Sequence, residues 1–185
     1  MQWAETILAC LKRADVRLLV YVPDEVLIPL TEGAERDGGF RVLVATREEE
    51  AFGILAGAAL GGVRGALLMQ SSGFGNSVNA LASLVVPYQL PVPMLISQRG
   101  VLGEYNAVQV PIGRVLAPAL DALGIVHRTL ERADELEAVV GRSLEQCYRT
   151  QAPVALILST LLTGGKTDPG TAGSRPTALA SGQAQ

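Results

Sequence analysis

Three consecutive carboxylates, Glu48-Glu49-Glu50, stand at the head of a stretch that continues Ala51, Phe52, Leu55 and Ala59. At about 100° per helical residue, Glu48 falls on the same face as those four apolar positions, while Glu49 lies to one side and Glu50 opposite. Two readings fit. Thr46 and Glu49 have the spacing of a capping box, in which Thr46 caps the helix and Glu49 reaches back to the Thr46 amide. Carboxylates also suit the positive end of the helix dipole. The other reading concerns Glu48 alone. A carboxyl group drawn toward apolar surroundings keeps its proton more tightly, which suits a hydrogen-bond donor or a proton shuttle.

A second candidate is Gln70-Ser71-Ser72-Gly73-Phe74-Gly75-Asn76-Ser77, expected to join a strand to a helix beginning at Asn76. Two glycines allow a tight turn, and a following helix would offer free amides to an anion. The segment is not a dinucleotide fingerprint, because Val78 holds the place of the third glycine, and it lacks the Gly-Lys-Ser/Thr of a P-loop. Two further polar segments are Pro23-Asp24-Glu25 and the run from Arg99 to Gln109. An arginine offers a fork of donors to an acidic group, although Arg99 could equally pair with Glu104. The one histidine, His127, reads as structural, and Cys10 and Cys147 read as buried free thiols. No metal site is expected in this chain.

The elements that would position these residues are plain. Apolar runs at Arg17–Val22, Arg41–Ala45, Gly65–Gln70, Val92–Ser97, Gly124–Arg128 and Val154–Ser159 read as strands. Helical stretches alternate with them at Trp3–Ala14, Glu25–Ala34, Arg47–Leu60, Asn76–Val86, Gly113–Leu123 and Ala133–Thr150. Continuously apolar strands alternating with helices predict an α/β fold. The sheet is doubly wound, mainly parallel and six-stranded, with helices on both faces. Ligands in such folds meet the loops at the carboxyl ends of the strands, which is where all four candidate segments fall. Residues 1–163 are expected to form the domain and 164–185, rich in Gly, Ser, Thr, Ala and Pro, a disordered tail.

Composition narrows the function classes. Hydrophobic residues make up 49% of the 185, charged residues 18%, and the net charge is −3, so a basic nucleic-acid footprint is absent. From Gly65 to Gln98 there is no charged residue, yet prolines 87, 91 and 93 and several polar residues interrupt the stretch, so no membrane span is expected. A helix without charge on its outer face is expected to self-associate or to meet another subunit there. The N-terminus lacks a basic stretch followed by an apolar core, so a cytoplasmic protein without signal peptide is expected.

Four pieces, in order, resemble the pyrimidine-binding domain of the thiamine-diphosphate-dependent 2-oxoacid decarboxylases. They are Val22-Pro23-Asp24-Glu25-Val26-Leu27, Arg47-Glu48-Glu49-Glu50-Ala51 with Gly57, Met69 through Leu81, and Arg99-Gly100 with Gly103-Glu104. The likeness is nearest to the α subunits of sulfopyruvate decarboxylase, with phosphonopyruvate decarboxylases close by. It implies that Glu48 is catalytic, hydrogen-bonding N1′ of the cofactor's aminopyrimidine and so favouring the tautomer that deprotonates the thiazolium. It implies further that Gln70, Ser71, Ser72, Gly73 and Asn76 lie at the cofactor, and that Pro23, Asp24, Glu25, Arg99 and Gln109 border the 2-oxoacid substrate.

The family holds the cofactor's diphosphate and Mg2+ through a Gly-Asp-Gly followed further on by Asn, and no Gly-Asp-Gly occurs here. The resemblance therefore implies a partner, a β subunit that binds metal and diphosphate. The implied reaction is decarboxylation of 3-sulfopyruvate to sulfoacetaldehyde and carbon dioxide. Alternatives are a phosphonopyruvate decarboxylase, a carboligase using the same cofactor, and a scaffold subunit without activity.

Overall fold

Strands that are apolar at every position can be satisfied only when both sheet faces are covered, and the chain does this. The computed structural model describes residues 2–166. Six strands, β1 Leu18–Tyr21, β2 Arg41–Val44, β3 Gly65–Gln70, β4 Pro93–Ser97, β5 Val126–Leu130 and β6 Val154–Leu158, form one parallel sheet in the order β2-β1-β3-β4-β6-β5. The helices are α1 Gln2–Arg13, α2 Ile28–Asp37, α3 Glu48–Leu60, α4 Ser71–Ala80, α5 Val110–Ala122, α6 Leu136–Thr150 and the short α7 Thr160–Thr163.

Successive strand residues point to opposite faces and so feed two cores. Leu19, Leu68, Leu95 and Leu156 pack with Ile7 and Leu11 of α1, Leu30 of α2, and Val140 and Leu144 of α6. Val20, Leu67, Met69, Ile96 and Ile157 pack with Phe52 and Leu55 of α3, Phe74 of α4, and Leu116 and Leu120 of α5. The sheet is thus sandwiched between an α2–α1–α6 layer and an α3–α4–α5 layer.

Three expectations are corrected in detail. The segment from Ser71 to Asn76 is not a turn: α4 begins at Ser71, directly after β3, and Gly73 and Gly75 lie inside the helix, which closes with a π turn at Leu81–Val85. The stretch starting at Glu25 is a 3-10 turn, Glu25–Leu27, before α2, whose first turn holds Pro29. The fifth strand runs two residues later than expected. Of the expected tail, Gly164, Gly165 and Lys166 are ordered against the domain; the remainder lies outside the described residues. Among the described residues no helix is long and apolar enough to cross a membrane.

The order of the sheet reverses between β1 and β3. The chain leaves β1 for β2 on one side and returns to β3 on the other, so a crevice opens at the carboxyl ends of this pair. The starts of α3 and α4 and the Pro23–Glu25 turn all meet there.

Candidate active site

The three glutamates of α3 have separate fates. Arg47 is the N-cap residue and makes no side-chain capping bond, so the Thr46–Glu49 box does not form. Glu50 takes that part instead, accepting the Thr46 amide at 2.7 Å. Glu49 accepts from the Arg47 guanidinium at 3.0 Å, and its carboxyl is held below the ordinary range, chiefly by its own backbone amide. Glu48 is the first residue of the helix and is buried with Ala51, Phe52 and Leu55, as its helical face requires. It is 8% exposed, and among the described residues its carboxyl makes no hydrogen bond or ion pair.

What Glu48 does touch is Gly73. A Cβ at Gly73 would stand 2.7 Å from Glu48 Cγ and closer still to its carboxyl group. The glycine is there for close approach, not for turning the chain: it lets the first turn of α4 accept the Glu48 side chain lying across it. A buried acid that is left unpaired, seated in a recess that any side chain would fill, is the group the site offers to a ligand.

The neighbouring polar groups are paired with one another. Asp24, whose side chain is 1% exposed, accepts from Ser97 Oγ at 2.6 Å and from Gln70 Nε2 at 3.0 Å, and forms an ion pair with Lys166. Gln70 Oε1 accepts from Ser72 Oγ at 2.6 Å. The Arg99 amide donates to Ser71 Oγ at 3.1 Å. Asp24, Gln70, Ser71, Ser72, Gly73, Arg99 and Glu48 are therefore brought to one end of the sheet. Pro23, Glu25 and Asn76 are exposed outside this network, and Gln109 contributes a buried Oε1 that finds no partner among the described residues.

Arg99 is committed to Glu104. Its Nε and one terminal nitrogen reach the two carboxylate oxygens at 2.7 and 2.6 Å, and both side chains are less than a tenth exposed. Glu104 also accepts the amides of Gly100 at 2.9 Å and Asn106 at 3.0 Å. Charge-assisted bonding from Arg99, helped by those amides, holds the Glu104 carboxyl down to about 2, and Glu104 raises Arg99 in return. The fork expected for a substrate's acid group is spent inside the chain, where it fixes the loop between β4 and α5.

An open cavity of about 440 Å³ lies beside the Pro23–Glu25 turn and is lined by Asp24, Glu25, Glu32 and Glu35, with Lys166 as the one cation among the described residues. Its charge does not match an anionic substrate. Ser97 and Lys166 were not anticipated from sequence. A polar residue closing a charge-free strand was a usable signal for Ser97, whereas Lys166 stands in a glycine-rich stretch with nothing to distinguish it. The two cysteines are free and buried, and burial pushes Cys147 up to about 12. His127 Nε2 lies 3.1 Å from Asp121 at the sheet edge, away from the crevice.

Residues 1–124 match the family model for the thiamine pyrophosphate enzyme, N-terminal TPP binding domain. The chain belongs to this family. It is 39% identical over 155 residues to the sulfopyruvate decarboxylase subunit alpha of Methanothermobacter thermautotrophicus, covering 84% of this chain and 94% of that one. The corresponding subunit of Methanocaldococcus jannaschii is 38% identical over 161 residues, covering 87% and 95%. Among solved structures, 2-oxoglutarate:ferredoxin oxidoreductase from Magnetococcus marinus, with 2-oxoglutarate, coenzyme A and succinyl-CoA bound, superposes with a TM-score of 0.67. That match covers 88% of this chain and 29% of the other at 11% identity, a likeness of fold.

Proposed function

We propose that this chain is the pyrimidine-side subunit of a split thiamine-diphosphate-dependent 2-oxoacid decarboxylase. Its substrate is 3-sulfopyruvate, and its products are sulfoacetaldehyde and carbon dioxide. The observation that carries the reading is Glu48, a residue only 8% exposed whose unpaired carboxyl lies on Gly73 at the switch point of the sheet. Support for the substrate comes from relatives of nearly equal length that bear the name sulfopyruvate decarboxylase subunit alpha.

Thiamine diphosphate, when bound, supplies the electron sink that lets the carboxylate of a 2-oxoacid leave as carbon dioxide. The chain's own residues bind and orient. Glu48 Oε is the atom at which a proton is held or exchanged with a ring nitrogen, and the apolar face of α3 keeps water from competing for it. Gln70, Ser71 and Ser72 line the same end through bonds to Asp24, Arg99 and each other, so the recess is formed before any ligand arrives. Mg2+ and the diphosphate fall to the partner β subunit.

The outer face of α4 supports assembly. With the π turn that follows it, it exposes Asn76, Asn79, Ala82 and Ser83 with no charge, and Gly53 and Gly57 of α3 in the same layer are exposed too. We assign this face to contact with another chain, either the β subunit or a second copy. A cytoplasmic setting is supported by the two free thiols.

The test is Glu48→Gln in the reconstituted complex. Carbon dioxide release from 3-sulfopyruvate is expected to fall by at least about a hundredfold, with assembly unchanged. Turnover at the wild-type rate would overturn the reading, and faster wild-type turnover of phosphonopyruvate would move the substrate while leaving the mechanism.

A further inference from the structure

The segment that follows β6 returns to the carboxyl end of the sheet. Ser159 Oγ accepts the Leu162 amide at 3.3 Å and caps α7, and Thr160 Oγ1 donates to the Leu102 carbonyl at 3.1 Å, tying α7 to the loop after β4. Gly164 and Gly165 then take left-handed conformations, φ 83° and 67°, which side-chain-bearing residues rarely adopt. Those two reversals bring Lys166 over the crevice, where its side chain is 16% exposed and its ammonium meets Asp24.

Asp24 is the junction of three strand ends. Its carboxylate receives Ser97 from β4, Gln70 from β3 and Lys166 from the returning segment, while Asp24 itself follows β1. Gln70 passes the constraint to Ser72 in the first turn of α4, and the next residue is Gly73, on which Glu48 rests. Without the ammonium, a carboxylate with 1% exposure would keep only two neutral donors. The network would then have to rotate or admit water.

We infer that Lys166 is a positioning residue: through Asp24, Gln70 and Ser72 it fixes the turn of α4 that supports Glu48. The inference rests on the function proposed above and extends the site to a part of the chain that reads as tail. Arg99, Glu104, Glu25, Glu32 and Glu35 are the other charged groups near this pair.

The test uses the full chain in two measurements. In the complex with its β subunit, Lys166→Met is expected to lower kcat about tenfold while the apparent KM for thiamine diphosphate moves less than about twofold; Lys166→Arg restores kcat. In the chain alone, the Arg99 amide, which is held by Ser71 Oγ, should exchange with solvent about tenfold faster in Lys166→Met and return toward wild type in Lys166→Arg. Unchanged exchange overturns the inference. Faster exchange with wild-type kcat also overturns it, leaving Lys166 a structural clasp. Should the wild-type complex turn over no 2-oxoacid, the proposed function fails on its own, and the exchange measurement still decides whether Lys166 fixes the turn.

Discussion

The two helical layers cover the same sheet and bury equally apolar inner faces, yet their outer faces differ. The α2–α1–α6 layer is studded with charge: Lys12–Asp37, Arg13–Glu137, Arg36–Glu32 and Arg149–Glu145 are ion pairs on its surface. In the α3–α4–α5 layer, the only charged residue between Ala51 and Gln98 is Arg64, in the turn at the opposite end of the sheet from the crevice. Packing against a sheet demands an apolar inner stripe from every helix but places no demand on the outer face, which only solvent or a partner selects. Within that layer α3 beyond Glu50 and the whole of α4 carry no charge, whereas α5 exposes Arg114 and Asp121; the bare face shared by α3 and α4 is therefore suited to meet protein. The candidate site opens on this same side, beginning with Glu48 of α3.

The largest effect that would break this contrast concerns the buried ion pair on the same side of the sheet as the uncharged helix α4. Glu104→Gln should destabilise the chain by about 3 kcal/mol, because it leaves the Arg99 guanidinium buried beside a weaker acceptor. The carboxyl is depressed to about 2 from the ordinary 4.5. Its contribution to stability is therefore complete above about pH 4.5 and is lost as pH falls toward 2. Acid unfolding of the wild type should show that loss, and Glu104→Gln should not; equal acid profiles would show that the pair is not formed.

Next in size is Gly73→Ala, whose Cβ would collide with Glu48. Displacing a reacting group by about 1 Å can cost about a hundredfold in rate, so kcat of the complex should fall by that order. The fold should survive, because alanine suits a helix better than glycine. Full activity in Gly73→Ala would mean that Glu48 does not work from where it lies.

A charge placed on the bare face sharpens the comparison directly. Asn79→Arg should leave the thermal stability of the separate chain within about 0.5 kcal/mol, yet weaken association with the chain that covers α4 by at least about tenfold. Unaltered association, followed by sedimentation or titration calorimetry, would remove the argument from missing charge. The smallest effect belongs to the other layer. Glu145→Ala should change stability by less than about 0.5 kcal/mol and leave association untouched.

Most of the fold was legible in the sequence because strand and helix periods differ and the strands were apolar throughout. The start of α4 was not. Two serines and two glycines after Gln70 carry turn propensity, and only the packing of Phe74 into the core, with Glu48 resting on Gly73, carries the helix back to Ser71. The capping box failed similarly, because Thr46 lies one residue before the N-cap Arg47 and Glu50, not Glu49, is then in reach of its amide. Glu48 could be singled out from its helical face, but that its carboxyl would be left unpaired could not. The Asp24 network was invisible, since it joins residues from three strand ends and a segment that reads as linker.

The central claim is that this chain is one half of a catalytic site, and carbon dioxide release tests it most directly. With thiamine diphosphate and Mg2+ present, 3-sulfopyruvate should be decarboxylated when this chain is mixed with its metal-binding β subunit, and neither chain should do so alone. Turnover by this chain alone would contradict the account, because it would require a complete site within residues that offer only the pyrimidine side.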